Sequence, residues 1–353
     1  MKDIVIRDSI KLPELAGSII AIDAPNIIMS LFNFTRKNLD GTYAGLLLDR
    51  TYQPISHLYG LLYRVNFFYS NLIFPIFCFD GKVSNLKRII TKDQLKDFLF
   101  MQKWYKSTME SGEVEFAKAI AANRGYQWQT VIKESKELLA AFGIPYIDSP
   151  SSAESQCAQL VKEKLAHFSN SQDFDSLVFG CPWLLQNISK TMRRKLQGKW
   201  VYREITPVRI DLAHNLHTLG INQFQLVDMV LLIGCDYFPG IKGIGPKRAL
   251  NLLKTYKTIE NVISHEKNKY DFNSLTLDLI TQVRRIFLFP DVQEIDREFS
   301  WNMPNESLII HLLCEAHFLD KKRVKNNLKK LVQNFEKCRI YFLNHRRKPK
   351  LQF

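Results

Sequence analysis

The chain has 353 residues, enough for one large domain or two modest ones with a buried core, and its hydrophobic (46%) and charged (24%) fractions are those of an ordinary globular protein. Its charge balance is less ordinary: 49 Lys and Arg face 35 Asp and Glu, a net charge of +14 that favours a polyanionic partner, because each cation seated on a phosphate releases counterions. Six cysteines without CxxC spacing argue against a zinc-finger or disulfide framework; the charged start Met1-Lys2-Asp3-Ile4-Val5-Ile6-Arg7-Asp8 is no signal peptide, and no apolar run nears the roughly 18 residues of a membrane span, so a soluble intracellular protein is expected.

In chain order, residues 18–22 and 75–79 are short apolar runs that read as buried strands, ending at Asp23 and Asp80. Residues 55–69 between them carry helical periodicity, and strand–helix–strand alternation implies a parallel sheet with helices on its faces. Residues 82–143 read as several helices rich in Lys, Glu and aromatics, with breaks at Gly112 and Gly125. Residues 143–147 are expected to form a third strand, and residues 171–179 to surround another. Residues 226–235 read as an apolar helix, and Pro246 suits the first position of a helix over 247–253. Beyond Thr276 the chain reads as mostly helical and closes on Arg346-Arg347-Lys348-Pro349-Lys350. No internal repeat or low-complexity linker divides it.

Five stretches place acids where sheet edges meet loops: Ala21-Ile22-Asp23-Ala24, Phe79-Asp80-Gly81, the run from Ser149 to Glu154, Gln172-Asp173-Phe174-Asp175-Ser176 and Gly234-Cys235-Asp236-Tyr237. Ligands of open α/β sheets bind beyond the carboxyl ends of the strands, and acids gathered there repel one another unless cations lie between them. Oxygen ligands without His or Cys point to Mg²⁺ or Mn²⁺ rather than zinc, and a pair of such ions can activate water against a phosphodiester. Each acid also has a plainer role open to it. Asp23 and Asp80 suit loop turns, Asp173 and Asp175 suit a solvated turn, and Glu154, three residues after Ser151, fits a capping box. Asp236 is harder to dismiss, because a carboxylate at the end of an apolar helix opposes the helix dipole by roughly 0.3–1 kcal/mol.

Gly240-Ile241-Lys242-Gly243-Ile244-Gly245-Pro246-Lys247-Arg248 follows closely. Its GxxGxG order reverses the dinucleotide fingerprint and no strand precedes it. Between two helices it reads instead as a hairpin whose glycines admit a phosphate to the backbone, with Lys242, Lys247 and Arg248 supplying charge.

At these stretches the sequence resembles the flap endonucleases of archaeal and eukaryotic type, the 5′ nuclease family that includes the nucleotide-excision-repair nuclease. The likeness spans about residues 10–331: Ala21-Ile22-Asp23, Ile55-Ser56-His57-Leu58, Tyr63-Arg64, Phe79-Asp80-Gly81, and residues 143–154, 172–180 and 234–250 stand in the family's order and spacing. The resemblance implies an α/β fold with a mixed, largely parallel central sheet flanked by helices (a PIN-like 5′ nuclease core), a helical arch and a helix–two-turn–helix. One domain over 1–353 is implied, with a nuclease part at 1–81, the arch at 82–133, a second nuclease part at 134–239, and the hairpin, C-terminal helices and basic tail at 240–353. It further implies a two-metal phosphodiesterase with Mg²⁺ or Mn²⁺ held by seven acids, of which Asp23, Asp80, Glu154, Asp173, Asp175 and Asp236 match. Lys87 matches an arch lysine at the scissile phosphate. DNA contacts are expected from Arg36, Arg64, Gly240, Lys242, Gly243, Gly245, Lys247 and Arg248, with K⁺ on the hairpin carbonyls. Branched or flapped DNA is the implied partner of a monomer in the cytoplasm, nucleoid or nucleus.

The pattern also breaks. The seventh acid is replaced by Ser152, the arch arginine by Gln94 and a base-stacking tyrosine by Met29, while Lys2 stands where the family has glycine and no sliding-clamp motif is evident. Two readings follow, an active structure-specific nuclease and a catalytically weakened branched-DNA binder or scaffold. An acid-lined phosphatase on a similar sheet leaves the helix–hairpin–helix unexplained.

Overall fold

In the computed structural model the described residues are 1, 3–32, 47–51, 53–82, 124–188, 191–196, 199–204, 206–296 and 298–345. Lys2, Arg36, Lys87, Gln94, the tail from Arg346 and most of the expected arch lie outside them.

Strand β1 (Asp8–Ser9) is followed by a 3₁₀ turn (Leu12–Leu15), strand β2 (Ser18–Asp23) and helix α1 (Ala24–Phe32). Helix α2 (Ser56–Ser70) leads into β3 (Ile73–Phe79), and α3 (Arg124–Ala141) into β4 (Tyr146–Asp148). Helix α4 (Ala153–Lys162) precedes β5 (Phe168–Asn170), and a short α5 (Asp175–Val178) precedes β6 (Trp183–Gln186). A separate antiparallel pair, β7 (Thr191–Leu196) and β8 (Lys199–Glu204), comes before β9 (Val208–Asp211). Helices α6 (Leu212–Leu219), α7 (Gln223–Ile233), α8 (Pro246–Tyr256), α9 (Ile259–Glu266) and α10 (Leu277–Leu288) follow. The last elements are α11 (Glu306–Ile310), a π-helical turn (His311–Ala316) and α12 (Lys321–Asn344).

The described strands form a seven-stranded sheet in the order β1-β9-β6-β5-β2-β3-β4, with β2 to β6 parallel and β9 and β1 antiparallel at one edge. The expected mixed, largely parallel sheet is present. Alternation along β2 divides the core: Ile20 and Ile22 face α1, α2, α3 and α12, whereas Ala21 faces α4, α7, α8 and α10. Both faces are covered, which explains why β2 and β3 read as continuous apolar runs. Among the described residues no single helix is long and apolar enough to cross a membrane.

Several expected boundaries move. Gly125 lies in the first turn of α3 and breaks nothing, while Gly143, at φ +70°, ends that helix, so the next strand starts at Tyr146 rather than at 143. Residues 171–179 hold no strand: β5 ends at Asn170, and α5 begins at Asp175. Helix α8 includes Pro246 and runs three residues beyond Leu253. The described residues 290–296 and 298–305 form a strap without helix. Gln156 exchanges two hydrogen bonds with the Gln293 backbone, and the Trp301 indole donates to the Pro75 carbonyl.

Two polar clusters fix the helical layers. Arg284 of α10 forks between Asp228 of α7 and Glu260 of α9 and so ties three helices behind the hairpin together. On the other face His317 sits between two carboxylates, Asp49 at 3.1 Å and Glu134 of α3 at 3.4 Å, and Glu134 also meets the buried His57 of α2 at 2.9 Å. With an acid on each ring nitrogen His317 has its pKa raised, by Glu134 first, and Glu134 is held at about 2 chiefly by its histidine hydrogen bonds acting against burial.

Candidate metal and nucleic-acid site

The neighbouring parallel strands β2 and β3 each end at an acid. Asp23 is the last residue of β2 and is buried. Its Oδ1 accepts the Asn26 amide at 3.2 Å and its Oδ2 the Ser171 hydroxyl at 2.9 Å. Asp80 follows β3 directly, and its Oδ1 accepts the amide of Ala153 at 2.8 Å, tying the strand end to the first residue of α4. A Cβ on Gly81 would lie 1.7 Å from the Ser149 carbonyl oxygen, so only glycine allows this approach.

Helix α4 begins one residue later than the capping-box reading of Glu154 requires. Ser152, not Ser151, is the N-cap, its Oγ accepting the Ser155 amide at 3.1 Å. Glu154 therefore occupies the second helical position, and its side chain enters a cleft, where the Ser171 hydroxyl lies 3.3 Å from Oε1. The serine replacing the seventh acid has its oxygen committed to the helix end.

Asp173 stands in the loop after β5 and accepts the Asn26 side-chain amide at 2.7 Å; Asp175 opens α5. Asp236 lies three residues past α7, exposed in a turn closed by Cys235 and Phe238. Glu154, Asp173, Asp175 and Asp236 line this cleft of about 420 Å³ together with Met1, Phe174 and the end of α7. Asp23 and Asp80 act on the same charge set. Burial raises the Asp23 carboxyl to about 7, with Asp80 the largest charge contribution. Burial and then Asp23, Asp175, Asp173 and Asp80 push Glu154 well above the usual carboxylate range. Among the described residues no three His, Cys, Asp or Glu side chains already close on a single ion. The acids form an open set, all hard oxygen donors, and their mutual repulsion suits divalent cations.

Behind Asp236 the hairpin joins α7 to α8. Gly240 and Gly243 take φ of +84° and +87°, and a Cβ on Gly240 would sit 2.3 Å from the Ile233 carbonyl oxygen. Lys242, Lys247 and Arg248 are exposed. A hollow of about 540 Å³ runs over Gly243, Gly245, Pro246 and Asn251, open to an anion at the start of α8. Arg248 donates to the Gly243 carbonyl at 2.6 Å, so one carbonyl expected for K⁺ already has a cation partner. Arg64 is half-buried and donates to the Ile188 carbonyl at 3.1 Å, and burial lowers its pKa to about 10. Met29 on α1 is 37% exposed. A search for acids passes over Asn26 and Ser171, although each stands within three residues of a candidate ligand.

A larger groove of about 780 Å³ between α4 and the strap carries Glu163, Asp291, Glu294 and Asp296 and lies away from this chemistry.

The XPG N-terminal domain family matches residues 2–96 and the XPG I-region residues 143–236. The chain is 39% identical over 331 residues to flap endonuclease 1 of Thermococcus onnurineus, covering 93% of each chain. Its fold is similar to the solved structure of flap endonuclease-1 from Methanococcus jannaschii, with a TM-score of 0.70 at 24% identity, covering 95% of this chain and 98% of that one. It is also similar to the catalytic core of Rad2 in complex with DNA substrate, with a TM-score of 0.63 at 22% identity over 92% and 95% of the two chains.

Proposed function

This chain belongs to the flap endonuclease family, and from that membership we propose that it is a divalent-metal-dependent 5′ nuclease that hydrolyses phosphodiester bonds where single-stranded and duplex DNA meet, in replication or repair. The observation that carries this reading is the meeting of acids from separate segments near the carboxyl ends of β2 and β3, where burial and then the neighbouring carboxylates raise the pKa of Asp23 and Glu154. Asp23, Asp80, Glu154, Asp173, Asp175 and Asp236 are the residues that would hold two Mg²⁺ or Mn²⁺ ions. Such ions, when bound, supply an activated water and stabilise the departing oxygen.

The chain's own contribution is placement. Asp80 binds the start of α4 and so fixes Glu154 over the strand ends, and the hairpin holds duplex backbone through Lys242, Lys247 and Arg248, with Gly240, Gly243 and Gly245 admitting the phosphate. Arg36 and Arg64 extend the DNA contact, and Lys87 offsets charge developing on the scissile phosphate. K⁺ at the hairpin would share the Gly243 carbonyl with Arg248 or displace it. The protein works as a monomer on branched or flapped DNA, wherever the cell keeps its DNA.

The test is cleavage of an end-labelled 5′-flap DNA with Mg²⁺, beside Asp175→Ala protein. Cutting within about a nucleotide of the junction, lost in the variant with binding retained, is the expected outcome for a two-metal site. Unchanged turnover in the variant removes the metal assignment. One observation favours the attenuated binder as a second reading: the Ser152 hydroxyl caps α4, leaving the cleft one acid short. Tight flap binding without cutting would select that reading, and neither binding nor cutting would sink both.

A further inference from the structure

The acid set is open, yet three of its members already face one another, and two uncharged side chains hold them there. The Ser171 hydroxyl is buried, 1% exposed, and its single proton lies between Asp23 Oδ2 at 2.9 Å and Glu154 Oε1 at 3.3 Å. The same oxygen accepts the Asp173 amide at 3.2 Å. Asn26 works from the opposite side. Its backbone amide donates to Asp23 Oδ1, its side-chain NH₂ donates to Asp173 Oδ2 at 2.7 Å, and its Oδ1 accepts the Gln172 amide at 3.3 Å. Both oxygens of Asp23 therefore have a protein donor, and the loop after β5 is pinned to the start of α1 at two points. Without these donors each carboxylate would relieve its repulsion by rotating away from its neighbours. A hydroxyl or a carboxamide opposes that rotation without adding charge.

We propose that Ser171 and Asn26 are positioning residues for the carboxylate set, two neutral donors that hold Asp23, Glu154 and Asp173 close to one another and so set how tightly the set takes a divalent cation. The inference rests on the metal-site reading given above. Its physical basis is general: groups that orient a metal-binding side chain from behind typically change affinity or activity by about 10–100-fold when removed. A hydroxyl is required at 171 and a carboxamide at 26, so threonine serves in the first place and alanine fails in either.

The experiment is Mn²⁺ titration of the metal-free full-length protein, reading free Mn²⁺ by electron paramagnetic resonance, with melting temperatures of the same samples in chelator. Ser171→Ala and Asn26→Ala are each expected to weaken Mn²⁺ binding by about 10–100-fold. Ser171→Thr restores wild-type binding, and the Mn²⁺ concentration for half-maximal flap cutting moves in parallel with the dissociation constant. A purely structural role lowers the melting temperature and leaves the dissociation constant alone, which overturns the proposal. So does a threonine variant as weak as alanine. If wild-type protein takes up no Mn²⁺ the metal-site reading itself falls, whereas wild-type binding matched by both alanine variants removes only the positioning role.

Discussion

Asp23→Asn is expected to stabilise the metal-free protein while abolishing its cutting. The Asp23 carboxyl titrates at about 7 in the folded chain against an ordinary 3.8, raised first by burial and then by Asp80. Between those values the folded state holds a proton that the unfolded state has released, so the stability this group contributes is full below 3.8 and is lost as pH rises through 7. At 1.36 kcal/mol per pH unit the whole span is worth about 4 kcal/mol, and the part between pH 5.5 and 8 about 2 kcal/mol. An unfolding entropy near 2.1 cal/mol/K per residue gives a chain of this length about 0.7 kcal/mol/K, so that part corresponds to roughly 3 °C in melting temperature. Thermal melts in EDTA across pH 5.5–8 should show wild type falling behind Asp23→Asn by this amount, and Mg²⁺ at pH 8 should raise wild type more than the variant. Melting curves that run parallel at every pH would refute the claim that burial and the neighbouring acids raise the Asp23 carboxyl in the metal-free chain.

Other outcomes are accessible by simpler assays. Ser152→Glu exchanges a helix cap worth about 1 kcal/mol for the missing acid and should lower the Mg²⁺ concentration needed for half-maximal cutting; no change would mean that the site has reorganised around serine. Lys242→Glu with Lys247→Glu should weaken duplex binding and flatten its dependence on salt by about two phosphate contacts, read from the slope of log K against log salt. His317→Gln should remove a pH dependence of stability on the α2 face. The imidazole's folded pKa lies above its ordinary 6.5, so its contribution is present below 6.5 and lost as pH rises through the folded value, and an unaltered profile in the variant would exclude the double carboxylate contact.

Residues whose surroundings are uniform were legible in the sequence. Strands β2 and β3 are covered on both faces, so apolar runs ending in Asp23 and Asp80 marked them directly. The antiparallel edge was not legible, because β1, β6 and β9 are two to four residues long, below the reach of any period. Helix α4 shows a sharper limit. Ser151 carries the capping-box spacing to Glu154, yet Ser152 is the N-cap, and Asp80 meets the Ala153 amide from another part of the chain. Ser171 leaves the strand path to meet Asp23, which is why a strand expected around it stops at Asn170. The neutral residues of the site were invisible for a related reason: nothing in an asparagine or serine shows that carboxylates will fold around it.

The packing of α12 has a bearing on how this chain comes off the ribosome. Phe335 rests against Tyr69 and Phe74, with ring centroids 5.3 and 6.2 Å apart, and Asp8 of β1 pairs with Arg209. At roughly 5–20 residues per second, tens of seconds separate synthesis of the α2 face from synthesis of the helix that covers it. During that interval Tyr69 and Phe74 have each other but lack the Phe335 ring that covers them, and such an aromatic surface invites association with other nascent chains. By contrast, α7 to α10 find one another within about sixty residues and can dock early, since short loops close at little entropic cost. The helices around the hairpin can therefore assemble while the α2 face of the sheet still awaits its last helix.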